Sequence, residues 1–290
     1  MVKKVLNLPA GRFAAILLSV ILVLAIFGRI LAPYDPLAGT GQPLLGPSAA
    51  NWLGTDYVGR DVLSRLLYGA TLSIFSAVQV ALIGLLVGAI PGILSVYLGK
   101  AYEWASLRII DTLISIPFLI FAVAVTALVG NGINQAMMVV GVLVAPLFFR
   151  VARAATLNVS SSPYVEAAVL SGATLGWIIR KHVWEKVLPP IAIALANTLG
   201  AGLVVVASLT FLGIGVQPPE PTWGGDLASD LKYLPFKPYA PLFPSLLIMA
   251  TVWGLNLLAD AIRDVSGESG RVLAPRTKAV PAPLQPEPAK

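Results

Sequence analysis

Cysteine is absent from the 290 residues, which excludes disulfide frameworks, thiolate metal sites and cysteine nucleophiles. Histidine occurs once, at His182, and a lone imidazole reads as a polar or interfacial residue, not as part of a metal site. Charge is scarce: 12% of residues are Asp, Glu, Lys or Arg, against about 25% in a typical soluble domain. No GxxxxGK[ST] phosphate loop is present, since the nearest glycine pair, Gly172 and Gly176, is followed by Trp177 where lysine is required. The chain has no soluble stretch large enough for an enzyme domain, and any energy from nucleotide must come from another chain.

What replaces charge is apolar length. Hydrophobic residues make up 57% of the chain and the mean hydropathy is +0.83, values of an integral membrane protein. A hydrocarbon core of about 30 Å takes about 20 apolar residues per helix, and the sequence offers spans at about 13–32, 71–98, 113–130, 135–157, 188–215 and 242–262. These read as helices because lipid leaves no partner for an open backbone group and no strand-like alternation is seen. The fold class expected is therefore an all-α membrane protein, a polytopic bundle of six transmembrane helices. The first run resembles a signal peptide but is too long for one, and Ala32-Pro33-Tyr34 is a poor cleavage site, so it reads as a retained span. The second and fifth runs exceed what a bilayer requires, with breaks expected at Pro91-Gly92 and Gly213-Ile214-Gly215.

Basic residues orient the bundle. Of the 20 Lys and Arg, only Arg29, Arg60, Arg65, Lys232 and Lys237 fall on the side of segments 33–70, 131–134 and 216–241. The others lie in residues 1–12, in the short loop Gly99–Thr112, in the interval 150–187 and beyond Arg263, which places both termini in the cytoplasm. The net charge of +6 is thus a topology signal and not a nucleic-acid footprint. The organisation expected is a cytoplasmic segment 1–12, a transmembrane domain 13–265 with a long cytoplasmic loop at 158–187, and a disordered cytoplasmic tail 266–290 rich in Pro, Ala and Gly. No ionisable group sits away from the ends of the spans. Self-contained ion coupling is disfavoured on that ground, and Asn197 and Asn256 read first as interhelical hydrogen-bonding residues.

Within the long loop 158–187, Ser160-Ser161-Ser162-Pro163 signals a helix start, and Glu166 in the first turn suits the helix dipole. Ala167, Ala168 and Gly172 give this helix a close-approach surface, while Val165, Val169, Leu170 and Leu175 offer apolar anchors. Amphipathicity alone leaves two roles open: docking to a soluble partner, or resting on lipid headgroups beside Arg180 and Lys181. The segment Glu166-Ala167-Ala168-Val169-Leu170-Ser171-Gly172 resembles the EAA loop of bacterial binding-protein-dependent ABC importers. Two more segments, Leu53–Ala70 (LGTDYVGRDVLSRLLYGA) and Ser208–Gly224 (SLTFLGIGVQPPEPTWG), resemble permeases of the peptide and nickel subfamily, specifically the second of their two homologous permease subunits. The resemblance covers nearly all of residues 13–265. It implies that Glu166, Ala167, Ala168, Val169, Leu170 and Gly172 couple the chain to its ATPase.

On the opposite side, residues 59–67 place Val62, Leu63, Leu66 and Leu67 on one stripe and Arg60, Asp61, Ser64 and Arg65 on the other. This predicts an interfacial helix lying along the membrane before the second span, and Asp56, Gly59, Arg60, Asp61, Gln217 and Trp223 are the receptor-side or interfacial candidates. Residues 226–239 have the mixed charge either of a receptor-facing loop or of an ordinary solvated one. The sequence departs from the family in one informative place: Trp184-Glu185-Lys186 stands where Leu-Pro-Asn is common, so the helix after the coupling segment is expected to continue for another turn. The resemblance implies partners: a homologous second permease, two ABC ATPases carrying ATP and Mg, an extracytoplasmic binding protein, and lipid. The chain itself is expected to bind no cofactor or metal, to contact no nucleic acid and to do no chemistry. Peptide is the favoured cargo, with nickel and glutathione as alternatives; an autonomous channel, a secondary transporter or a scaffold fits the docking helix and the charge-free spans less well.

Overall fold

The structure, a computed structural model, describes residues 2–39, 41–129 and 132–267. Among the described residues the regular elements are helices, and the only bridges are two isolated ones, Gly39 with Arg60 and Thr55 with Asp61. The helices are α1 (Val2–Asn7), α2 (Pro9–Leu31), α3 (Val62–Leu94), α4 (Lys100–Ser115), α5 (Phe118–Val129), α6 (Ile133–Ser160), α7 (Pro163–Leu170), α8 (Leu175–Ile178), α9 (Trp184–Phe211), α10 (Trp223–Lys232) and α11 (Leu242–Ser266), with a π-helical turn at Ile179–Val183 before α9. Beyond Ser266 and Gly267, the tail expected from 266 lies outside the described residues.

Five helices are long and apolar enough to cross a membrane, or six if one bent pair counts as a span. That pair stands where the third span is expected at about 113–130. Residues 99–112, read as a loop, fall largely in α4, and α4 meets the following helix at 96°. The break falls at Ile116, whose extended backbone (φ −84°, ψ 131°) is what a residue before proline prefers. A second correction concerns residues 59–67, which form no separate interfacial helix. Asp61 caps α3, its carboxylate accepting from the Ser64 N–H at 2.8 Å, so the spanning helix starts at Val62 and not at Thr71.

Helix α3 also runs through Pro91-Gly92 and stops at Leu94, while α9 ends at Phe211, just before the glycines expected to break it. Upstream of α9 the continuation suggested by Trp184-Glu185-Lys186 is present. Residues Leu175–Phe211 form one helical run of 37 residues, with the π-turn inside it.

Helices α3 and α6 pack side by side at the centre, and glycine sets their distance. A Cβ on Gly88 would lie 2.1 Å from the Ala145 carbonyl oxygen, and one on Gly92 would lie 2.6 Å from that of Phe149. With Gly84 against Gly141, these contacts advance in step along both helices, so α3 and α6 run parallel. Small residues at every fourth position let two backbones approach this closely, which is how helices associate where lipid removes the hydrophobic drive. The outermost helices are different: only 22% of the apolar window of α2 and of α11 is buried, against 50% in α6 and in Leu175–Phe211. Exposed Ile16, Ile30, Met249 and Trp253 give these two helices the surface that lipid covers.

Candidate functional site

One end of the bundle carries α7 and the other α10. At the first, Ser162 is extended and Pro163 opens α7 at N1, as the sequence implies, although no side-chain cap forms. Val165 turns inward and joins Ile93, Val159, Ile178, Val183 and Val187 in one buried cluster, so it anchors the helix to its own chain and not to a partner. The remaining face is free. Glu166, Ala167, Val169 and Gly172 are exposed, Ala168 and Leu175 are half-buried, and Leu170 is 89% exposed.

Gly172 serves a local purpose that its sequence context left unread. Its φ is +78°, and the Gly172 N–H donates to the Val169 carbonyl while the Ala173 N–H donates to that of Ala168, each at 3.0 Å. That is a Schellman ending, with glycine at the left-handed position. Among the described residues, and apart from its own chain neighbours, nothing lies within 4 Å of a Cβ placed there. His182 packs between Tyr164 and Trp177, with ring centroids 5.4 and 5.1 Å away, and so braces α7 against α8. Among the described residues no cluster of three His, Cys, Asp or Glu could hold a metal ion.

Beside α7 a cleft of about 1200 Å³ opens between α6, α9 and α11. Val151, Pro190 and Ile193 form its apolar wall, and Asn158 and Asn197 also line it. Lys4, Glu185, Lys186 and Arg263 stand around it. Asn197 has no hydrogen-bond partner among the described residues, contrary to the interhelical role expected of it.

At the other end the charged residues turn inward. Arg65, one turn inside α3, binds the Asp226 carboxylate on α10 at 2.5 Å and donates to the Pro36 and Pro219 carbonyls at 3.2 Å. Asp56 accepts from Arg60 at 2.8 Å and faces Arg65 at 3.7 Å, while Asp61 accepts from Asn51 as well as capping α3. Trp223 is fully buried, its backbone N–H donating to the Ser73 hydroxyl and its indole N–H to the Leu66 carbonyl. Lys237 donates to the Thr55 carbonyl at 2.8 Å and is 3% exposed.

Residues 34–39 and 41–61, α10 and the loop after it thus form a polar cap stitched onto the start of α3. Of the receptor-side candidates, Asp56, Gly59, Arg60, Asp61 and Trp223 are buried inside this cap, and only Gln217 presents a free surface. The polar stripe of 59–67 faces protein because an arginine near hydrocarbon needs a carboxylate, and α10 supplies it. Sequence reasoning missed Asp226 as that partner; the unpaired Arg65 beside an apolar run was the available signal.

Burial disturbs the charges here. It pushes the Asp226 carboxyl up while Arg65 opposes, and Oδ2 of Asp226 is left buried without a partner. Asp230 is pushed up to about 7, first by burial and then by the Asp226 carboxylate. Burial lowers Lys237, with Asp230 and Asp56 opposing.

Residues 60–269 match the family described as binding-protein-dependent transport system inner membrane component. The chain belongs to this family. It is 35% identical over 258 residues to the probable D,D-dipeptide transport system permease protein DdpC of Escherichia coli (strain K12), covering 89% of this chain and 87% of that protein. It is also 35% identical over 261 residues to the glutathione transport system permease protein GsiD of Pectobacterium atrosepticum, covering 88% and 84%. Among solved structures, a chain of the MetNI methionine ABC transporter in inward-facing conformations superposes with a TM-score of 0.57 at 21% identity, over 70% of this chain and 96% of that one, a likeness of fold. The chain is thus a multi-pass permease subunit of an ABC importer, a transport component and not an enzyme.

Proposed function

We propose that this permease carries small peptides inward across the cytoplasmic membrane, paired with a homologous second permease. The observation that carries the coupling part is the exposed face of α7, where Glu166, Ala167, Val169 and Leu170 stand free on a helix whose opposite face is pinned by Val165. A short helix fixed on one side and open on the other can be pushed as a unit by a soluble partner. Two ABC ATPase subunits, holding ATP and Mg, grip α7 of each permease, and an extracytoplasmic binding protein delivers cargo to the α10 end. In this reading both termini and residues 150–187 are cytoplasmic, in keeping with the bias of basic residues. ATP drives exchange between inward- and outward-open forms because the ATPases contact α7 differently in the two.

Peptide cargo is supported by relatives named for a D,D-dipeptide and for glutathione, itself a tripeptide. The test is reconstitution in liposomes with the second permease, the ATPases and the binding protein. Uptake of a dipeptide or glutathione that needs ATP on the α7 side is expected, with no substitution by a proton or sodium gradient. ATP-driven uptake of nickel and no peptide would overturn the cargo; gradient-driven uptake by the chain alone would overturn the importer.

A further inference from the structure

The cleft at the α7 end is deep. Lys186 and Asn197 both line it, and they are separated along α9 by roughly 16 Å of helix rise, about half of a hydrocarbon core. Asn197 therefore holds an amide at a depth where lipid would leave it unsolvated. Neither Asn197 nor Asn158 has a hydrogen-bond partner among the described residues. A polar group at such depth without a protein partner faces water or a polar ligand, so an acyl chain is a poor occupant and a hydrated passage a good one.

The lining also selects the kind of ligand. An amide side chain offers a donor and an acceptor together, which matches the paired N–H and C=O of a peptide backbone. The wall of Val151, Pro190 and Ile193 bears no charge and demands no particular side chain. Lys4, Lys186 and Arg263 outnumber Glu185 among the lining residues, although Arg263 is shared with Asp260 at 2.7 Å, and this surplus suits a terminal carboxylate. We infer that the cleft is the inner section of the peptide path and that Asn158 and Asn197 hold the backbone of the passing peptide. The inference rests on the peptide-importer reading and adds to it the residues that touch cargo.

The absence of cysteine makes the test direct. Asn197→Cys, in the full complex without nucleotide, should react with a membrane-impermeant methanethiosulfonate added from the α7 side, and dialanine or glutathione should slow that reaction. Met249→Cys, exposed on the lipid-facing side of α11, should stay unreactive. Asn197→Leu should lower uptake about tenfold, the value of one hydrogen bond, while Asn197→Gln keeps most of it, and both variants should still co-purify with the ATPases. An unreactive cysteine would overturn the hydrated cleft. A reactive but unprotected cysteine in a complex that imports both peptides would overturn the path assignment and leave the importer reading standing. A complex that imports neither peptide would overturn the cargo and this inference with it.

Discussion

Arg65 and Asp226 are 161 positions apart in the chain and 2.5 Å apart in space, and their ion pair locks α10 to the start of α3. Each side chain is about 9% exposed, so neither charge has bulk water to fall back on. Removing Arg65 leaves Asp226 uncompensated and removing Asp226 leaves Arg65 only the more distant Asp56; breaking a buried pair costs about 3–5 kcal/mol, whereas an apolar replacement of both is far milder. Arg65→Leu and Asp226→Leu should each lower the thermal stability of the purified protein sharply, and the double variant should be less impaired than either effect added to the other. Strict additivity in a double-mutant cycle would show that the pair is not coupled.

The contact of α3 with α6 sets a different expectation. A Cβ at Gly88 would meet backbone and not a movable side-chain tip, so even alanine forces the helices apart. Gly88→Ala should destabilise the bundle by about 1–3 kcal/mol, the usual cost of overpacking, and Gly88→Leu should abolish folding. Gly176→Ala, at a position with nothing within 4 Å, is the control and should be neutral in the same thermal assay.

Most of the architecture was readable because membrane length and helix caps are local signals. The apolar runs 13–32, 135–157 and 242–262 coincide with helices α2, α6 and α11 to within a few residues, and Ser162-Pro163 marks the start of α7. What was not readable depends on pairing. Residues Arg60–Leu67 have the same amphipathic pattern whether the polar stripe meets water or protein, and only Asp226, far along the chain, decides which. Likewise the run after Leu113 is apolar enough to span, and the tight turn at Ile116-Pro117 is a local effect that hydropathy does not register. The sequence shows the lack of bulk at Gly172, but its positive φ follows from where α7 stops.

The cap should respond to pH through Asp230. Burial and the Asp226 and Asp56 carboxylates push its carboxyl up to about 7, against the pull of Lys237 and Arg65. A carboxyl that keeps its proton to higher pH when folded adds stability that is fully present below about pH 4 and is lost as pH rises through 7. Asp230→Asn never charges, so its melting temperature should gain on the parent as pH rises from 4 to 8. A gap independent of pH would remove Asp230 from the account.

The coupling assignment turns on separating the two faces of α7. Leu170 is 89% exposed and Val165 is buried, so the same substitution should act differently at the two positions. Leu170→Asp should leave expression and melting temperature unchanged, within about 0.5 kcal/mol for a surface site, yet prevent the ATPases from co-purifying and stop uptake. Val165→Asp places a carboxylate in the buried cluster and should fail at folding. Glu166→Ala should resemble Leu170→Asp in a weaker form. Gly172 is a poorer probe, because any side chain there strains the left-handed ending whether or not a partner is near. Normal uptake and normal ATPase co-purification by Leu170→Asp would show that the free face of α7 is not where the ATPases hold this permease.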